Sequence, residues 1–257
     1  MFDHRLGRIA DRIGSRLDFP DTRREWVEHY VMPLAAKLLS EGCYDAIYTT
    51  SYWYSTVLAG MALKQRFGIP WVADFRDPWA TNELLLGHLD QRERHRHFQA
   101  EADMMQAADA ITFAHPLVAE DARERYPSQS ERVFAITNGF DPDDYDRRNP
   151  TRSRRDGRIA TVNVVHTGSC YGRYGPHKLF EALRSGWHPQ LVGGAEVNFR
   201  FIGGTGHARP PDVAGISFHT SERVPHEEAI HEQLDADILL NVFDRTVGRI
   251  GISGKLF

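Results

Sequence analysis

Short apolar runs alternate with segments of helical length along most of this chain. The runs Tyr44–Thr50, Trp71–Phe75, Ala110–Phe113 and Arg132–Ile136 predict strands. Thr56–Phe67, a long charged stretch from about Leu84 to Ala107, and Leu117–Arg125 predict the helices between them. Strands joined by helix-length crossovers lie parallel, in a sheet with helices on its faces. Asp141–Arg158 breaks the rhythm with two prolines, six arginines and five aspartates, the composition of a linker. The alternation then restarts with strand Ala160–His166, helix Pro176–Ser185, strands Val197–Ile202 and Ile216–His219, helix His226–Leu234 and strand Asp237–Phe243. The pattern predicts an α/β protein of two Rossmann-like halves with parallel sheets, residues 1–148 and 159–257, joined by a linker at 149–158.

Composition narrows the partners. The 257 residues suffice for one large or two modest domains, and 26% charged residues with 11% aromatics are those of an ordinary globular chain. A net charge of −4 offers no footprint for nucleic acid. Cys43 and Cys170 are the only cysteines and fall in no CxxC pattern, so neither a disulfide framework nor a cysteine zinc site is expected, and a reducing compartment fits. No run of about 18 apolar residues and no signal-peptide pattern is present, which predicts a cytoplasmic chain. At the amino end Phe2, Leu6, Ile9, Ile13 and Leu17 recur at helical spacing beside Arg5, Arg8, Arg12 and Arg16. Such a stripe packs on its own domain. Alternatively it lies on an anionic membrane surface, giving a peripheral contact through residues 2–17 at the inner face of the plasma membrane.

Candidate chemistry gathers where predicted strands end. Asp74-Phe75-Arg76-Asp77-Pro78-Trp79 closes a strand at its carboxyl end, where open α/β sheets keep their sites. Pro78 denies a sheet donor and moves Asp77 out of helical geometry, so Arg76 and Asp77 are expected on a rigid turn. A structural turn with an internal Asp–Arg pair is the plainer alternative. Gly168-Ser169-Cys170-Tyr171-Gly172-Arg173 follows a strand and precedes a helix, so its amides can meet a phosphate that Arg173 and Lys178 would neutralise. An ordinary strand-to-helix turn would read the same. Gly203-Gly204-Thr205-Gly206 ends the next strand, either pressed against a nucleotide or simply turning. His226-Glu227 meets its second histidine at His231, one residue too far for a zinc protease. The Asp141/Asp143 and Asp235/Asp237 pairs suit capping better than metal binding, and no metal is expected.

Taken in order over roughly Asp18 to Phe257, five segments resemble glycosyltransferase family 4. They are Pro70–Trp79, Ile136-Thr137-Asn138-Gly139-Phe140-Asp141, His166-Thr167-Gly168-Ser169, Phe201-Ile202-Gly203-Gly204 and Gly254-Lys255-Leu256-Phe257. Members of that family are nucleotide-sugar-dependent enzymes of the two-domain GT-B fold, and the branch that builds bacterial surface polysaccharides is the nearest in pattern. The resemblance implies a retaining transfer from a nucleoside-diphosphate sugar to a sugar or lipid-linked acceptor in the cleft between the halves, with no further cofactor. Gly168, Ser169, Gly172, Arg173, Lys178 and Gly203 would hold the donor diphosphate. Lys255 would be the lysine preceding the acidic donor-sugar residue, and Asp77 with Arg76 would serve the transfer centre. Arg76 stands where many members carry a histidine. The family's first strand and its glycine loop have no counterpart before Tyr44, and the chain stops at Phe257 before the glutamate-bearing motif. Both domains are therefore expected to be incomplete and transfer by the chain as given to be weak. A non-catalytic nucleotide-binding module remains the alternative; a dehydrogenase is disfavoured because no GxGxxG follows a strand.

Overall fold

The computed structural model describes residues 19–146, 161–170, 175–186 and 195–242. These fall into two compact units, 19–137 and 138–242. The basic amphipathic pattern of residues 2–17 lies outside the described residues, as do Gly172, Arg173 and Lys255.

The first unit opens with helix α1, formed by Arg24–Trp26, a π-helical turn Val27–Val31 and Met32–Glu41. Four parallel strands follow: β1 (Ile47–Ser51), β2 (Trp71–Phe75), β3 (Ala110–Phe113) and β4 (Val133–Ala135), hydrogen-bonded in that order. Between them run α2 (Tyr54–Phe67), α3 (Glu83–Leu86), α4 (Gln91–Ala107) and α5 (Pro116–Arg125). The long charged helix expected from Leu84 onward is thus two helices. The first ends at Leu86, and Asp90 starts the second with a capping box, its carboxylate accepting from Glu93 N while the Glu93 side chain accepts from Asp90 N. Trp71, Phe75, Ile111, Met104, Met105 and Val57 form the core under this sheet. Trp71 packs so tightly on α2 that a Cβ at Gly60 would lie 2.4 Å from its Nε1, so only glycine fits there.

One row crosses three strands. Thr50, Asp74 and Thr112 are register partners, and the Asp74 carboxylate accepts the Thr50 hydroxyl at 2.7 Å and the Thr112 hydroxyl at 2.5 Å. A buried carboxylate needs such donors, and in return it ties the carboxyl ends of β1, β2 and β3 together.

The second unit carries another parallel sheet, ordered β7-β6-β5-β8 among the described residues. Its strands are β5 (Thr161–Thr167), β6 (Glu196–Ile202), β7 (Ile216–Ser221) and β8 (Ile238–Leu239). Phe180, Phe199, Phe201 and Phe218 stack or meet edge to face in its core. Short helix α6 (Asp143–Asp146) belongs here too, with α7 (His177–Arg184) and α8 (His226–Leu234). Tyr145 donates to Gln233, and Asp144 pairs with His226 at 3.0 Å on α8. Residues 138–146 therefore pack with the second unit, although the rhythm of the sequence groups them with the first. The chain passes from β5 outward to β6 and β7, then returns to lay β8 on the other side of β5. In a doubly wound sheet ligands usually bind beyond the carboxyl ends of the strands.

Candidate functional site

Two segments carry the candidate chemistry, one in each unit, and both lie past the carboxyl ends of parallel strands. In the first unit the turn after β2 is pinned from several sides. Arg76 N donates to Ser51 O at 3.2 Å. Tyr54 donates its hydroxyl to Pro78 O at 2.8 Å and stacks on the Trp79 ring, with centroids 4.7 Å apart and planes 5° from parallel. Trp79 is wholly buried, and its Nε1 donates to His97 Nδ1 at 3.0 Å. Glu101, buried on α4, accepts from Ala80 N at 3.1 Å and from the Tyr126 hydroxyl at 2.8 Å, and pairs with Arg125. A buried carboxylate with three donors is satisfied, so this network stiffens the turn rather than straining it.

The consequence is a presented pair. Arg76 is exposed and Asp77 half-buried at the rim of the sheet. Burial pushes the Asp77 carboxyl above the ordinary aspartate range, while the neighbouring Arg76 guanidinium opposes that shift. His97 is displaced further: burial, helped by Arg96, lowers its pKa to about 4, so it stays neutral and accepts from the Trp79 indole. His115, at the carboxyl end of β3, accepts from Leu117 N through Nδ1 and caps α5, and burial lowers its pKa. Both histidines therefore have structural duties here.

In the second unit three strand tips meet. Gly168 follows β5 and its amide donates to Ile202 O at 2.7 Å; Gly203 follows β6 and donates to Ser221 O at 3.1 Å. Gly203 has φ +103°, and a Cβ on it would stand 2.8 Å from the carbonyl carbon and oxygen of Gly168. Both the torsion and the close approach demand glycine. Beyond these tips opens a groove of about 680 Å³ lined by Ser169, Cys170, Gly203–Gly206 and Thr220–Arg223. Arg223 is exposed and donates from Nε to Ser169 Oγ at 2.9 Å, which brings a cation to the rim of the glycine loop.

Of the residues singled out from sequence, Ser169 and Gly203 line this groove, and Gly168 backs it through its contact with Gly203. Lys178 stands exposed in the first turn of α7, outside the groove's lining. The residue that sequence reading missed is Arg223. Its signal was its place just past a strand, obscured because the expected strand ended at His219 whereas β7 continues to Ser221. One carboxylate of each acidic pair accepts a backbone hydrogen bond: Asp141 accepts from Asp143 N at 3.0 Å, and Asp237 accepts from Asn163 N at 2.9 Å.

The comparisons with known proteins agree with this architecture. A family model described as a glycosyl transferase 4-like domain matches residues 6–139. Among solved structures, Anabaena Alr3699/HepE in complex with UDP matches with a TM-score of 0.50 at 16% identity, covering 84% of this chain and 60% of that one. The same Anabaena protein in complex with UDP-glucose matches with a TM-score of 0.50 at 17% identity over the same shares. At these identities the likeness is one of fold, and the chain spans 60% of the length of the structures it matches. No curated protein sequence is a significant match.

Proposed function

The chain belongs to the glycosyl transferase 4-like domain family, and from that premise we propose that it serves the transfer of a glycosyl group from a nucleoside-diphosphate sugar to an acceptor hydroxyl. The observation that carries the proposal is the glycine-lined groove past the carboxyl ends of β5, β6 and β7, with Arg223 held against Ser169 at its rim. A departing diphosphate gathers negative charge. Backbone amides past a strand end and a fixed guanidinium stabilise that charge in the transition state more than in the ground state, which is what lowers a barrier. The Anabaena protein of similar fold is described with UDP and with UDP-glucose, so a uridine diphosphate donor is the first to try.

In this reading Gly168, Ser169, Gly172, Arg173, Lys178, Gly203 and Lys255 serve the donor, and Arg223 joins them. Asp77 and Arg76 serve the acceptor side. The half-buried Asp77, with its raised pKa, holds or orients the acceptor hydroxyl, and Arg76 contributes charge toward the acceptor or its phosphate. Transfer proceeds with retention, the acceptor attacking from the face the diphosphate leaves, so no protein nucleophile is required. A sugar or lipid-linked acceptor of surface polysaccharide synthesis at the cytoplasmic face of a membrane suits this chemistry, and residues 2–17 would supply the peripheral contact.

Calorimetry with UDP and GDP, with and without a chelator, tests the donor half of the proposal. Chelator-independent binding of one nucleotide is expected, because amides and guanidinium supply the positive charge. Binding that needs a divalent ion, or none at all, overturns it. An assay with UDP-glucose and a lipid-linked acceptor, using this chain beside one extended at both ends, then separates a transferase from a nucleotide-binding module: binding without turnover in either chain favours the module.

A further inference from the structure

Cys170 is among the residues that line the groove, and its thiol has a built partner. Cys170 is 8% exposed, and its Sγ lies 3.5 Å from Nε2 of His166. His166 is 1% exposed, with Nδ1 2.9 Å from the carbonyl oxygen of Leu240. A carbonyl can only accept, so Nδ1 carries the proton and Nε2 turns its lone pair toward the sulfur. Nucleophile, base and orienting group thus stand in line, the arrangement that activates thiols elsewhere. A purely structural buried cysteine has apolar neighbours and no base. The other cysteine, Cys43, is exposed.

We propose that Cys170 is a thiol-modification site that reacts with small disulfides. In the exchange the Cys170 proton passes to His166 Nε2 and the sulfur attacks one sulfur of the disulfide. The incoming S–S bond breaks, and the departing thiolate takes the proton back from His166. One disulfide is consumed, one mixed disulfide forms on Cys170 and one thiol is released, so electrons balance without another oxidant. The added group occupies the wall between Ser169 and Gly206, where it would exclude a nucleotide. That last consequence rests on the donor reading of the groove; the thiol chemistry does not.

The test treats the folded chain with cystamine and follows each cysteine by peptide mass. Exposure alone predicts that Cys43 reacts far faster. The pairing with His166 predicts that Cys170 reacts at least as fast as Cys43, and that His166→Gln slows Cys170 about tenfold or more while Cys43 is unchanged. Wild-type Cys170 that lags Cys43 about tenfold, and reacts freely only in urea, overturns the proposal, and that outcome needs no variant to fold. Saturating UDP is expected to protect Cys170 and not Cys43. A reactive Cys170 that UDP leaves unprotected upholds the thiol site and instead overturns the donor reading of the groove.

Discussion

The two strand-end segments are built in opposite ways. The turn after β2 is made of side chains: Tyr54, Trp79, His97, Glu101 and Arg125 interlock around it through hydrogen bonds and an ion pair. The groove of the second unit is made largely of backbone, with glycines at Gly203, Gly204 and Gly206 and a cation reaching in from the next strand. A packed turn fixes the backbone that carries Arg76 and Asp77, the pair proposed for the acceptor side. A glycine-rich rim lets a phosphate come close to amides. The first is the construction that precise positioning of an acceptor requires, the second that of anion binding, and each should fail in its own way.

The sharpest way to break the comparison is Trp79→Ala. Removing a wholly buried indole stacked on Tyr54 should cost the first unit about 3–5 kcal/mol, read as a lower urea midpoint, while UDP affinity of the second unit stays unchanged. A loss of UDP binding in the folded variant would show that the two regions are not independent.

Acid should act on the same network. His97 has a folded pKa of about 4, below its ordinary 6.5, so the unfolded chain binds the extra proton first. Its contribution is complete above pH 6.5 and is lost as pH falls toward 4, with an upper limit of about 3 kcal/mol. His97→Gln, which can still accept from the Trp79 indole, should flatten the stability of the first unit over that window. An unchanged slope would place the sensitivity elsewhere.

On the groove side, Gly203→Ala pushes a Cβ into the Gly168 backbone and strains a positive φ. UDP affinity is expected to fall by more than about tenfold, or about 1.4 kcal/mol, by calorimetry, with the first unit unaffected. Arg223→Ala should do less, about a fivefold loss, because the exposed guanidinium is screened by water and salt. Arg223→Lys should recover only part of it, since the bond from Nε to Ser169 needs a guanidinium. Equal binding by all three proteins would remove Arg223 from the donor site.

Strand and helix order was readable from the alternation of apolar runs with helix-length segments: strands Trp71–Phe75 and Ala110–Phe113 and helix His226–Leu234 fall where the pattern puts them. Local chemistry was readable too, since a proline after Asp77 and glycines after β5 and β6 constrain the backbone whatever surrounds them. Boundaries were less legible. Asp90 looked like one more charge on a long helix until its carboxylate was seen to cap α4, and 138–146 looked like the end of the first half until Asp144 and Tyr145 found partners on α8.

Contacts between residues far apart in the chain were decided only in three dimensions. Asp74 reads as one member of a polar turn, yet parallel register places it between Thr50 and Thr112, where it fastens three strands. Glu101 and Arg125 are two charges among many on helices until folding brings them under Ala80. Arg223 reaches Ser169 across 54 residues of sequence, and Cys170 acquires its base only because Leu240, just past β8, holds the His166 ring by its other nitrogen. Periodicity and turn chemistry act over a few neighbouring residues, so sequence alone determines them. The pairing of distant side chains depends on which strands lie side by side and in what register, and only the packed sheet settles that.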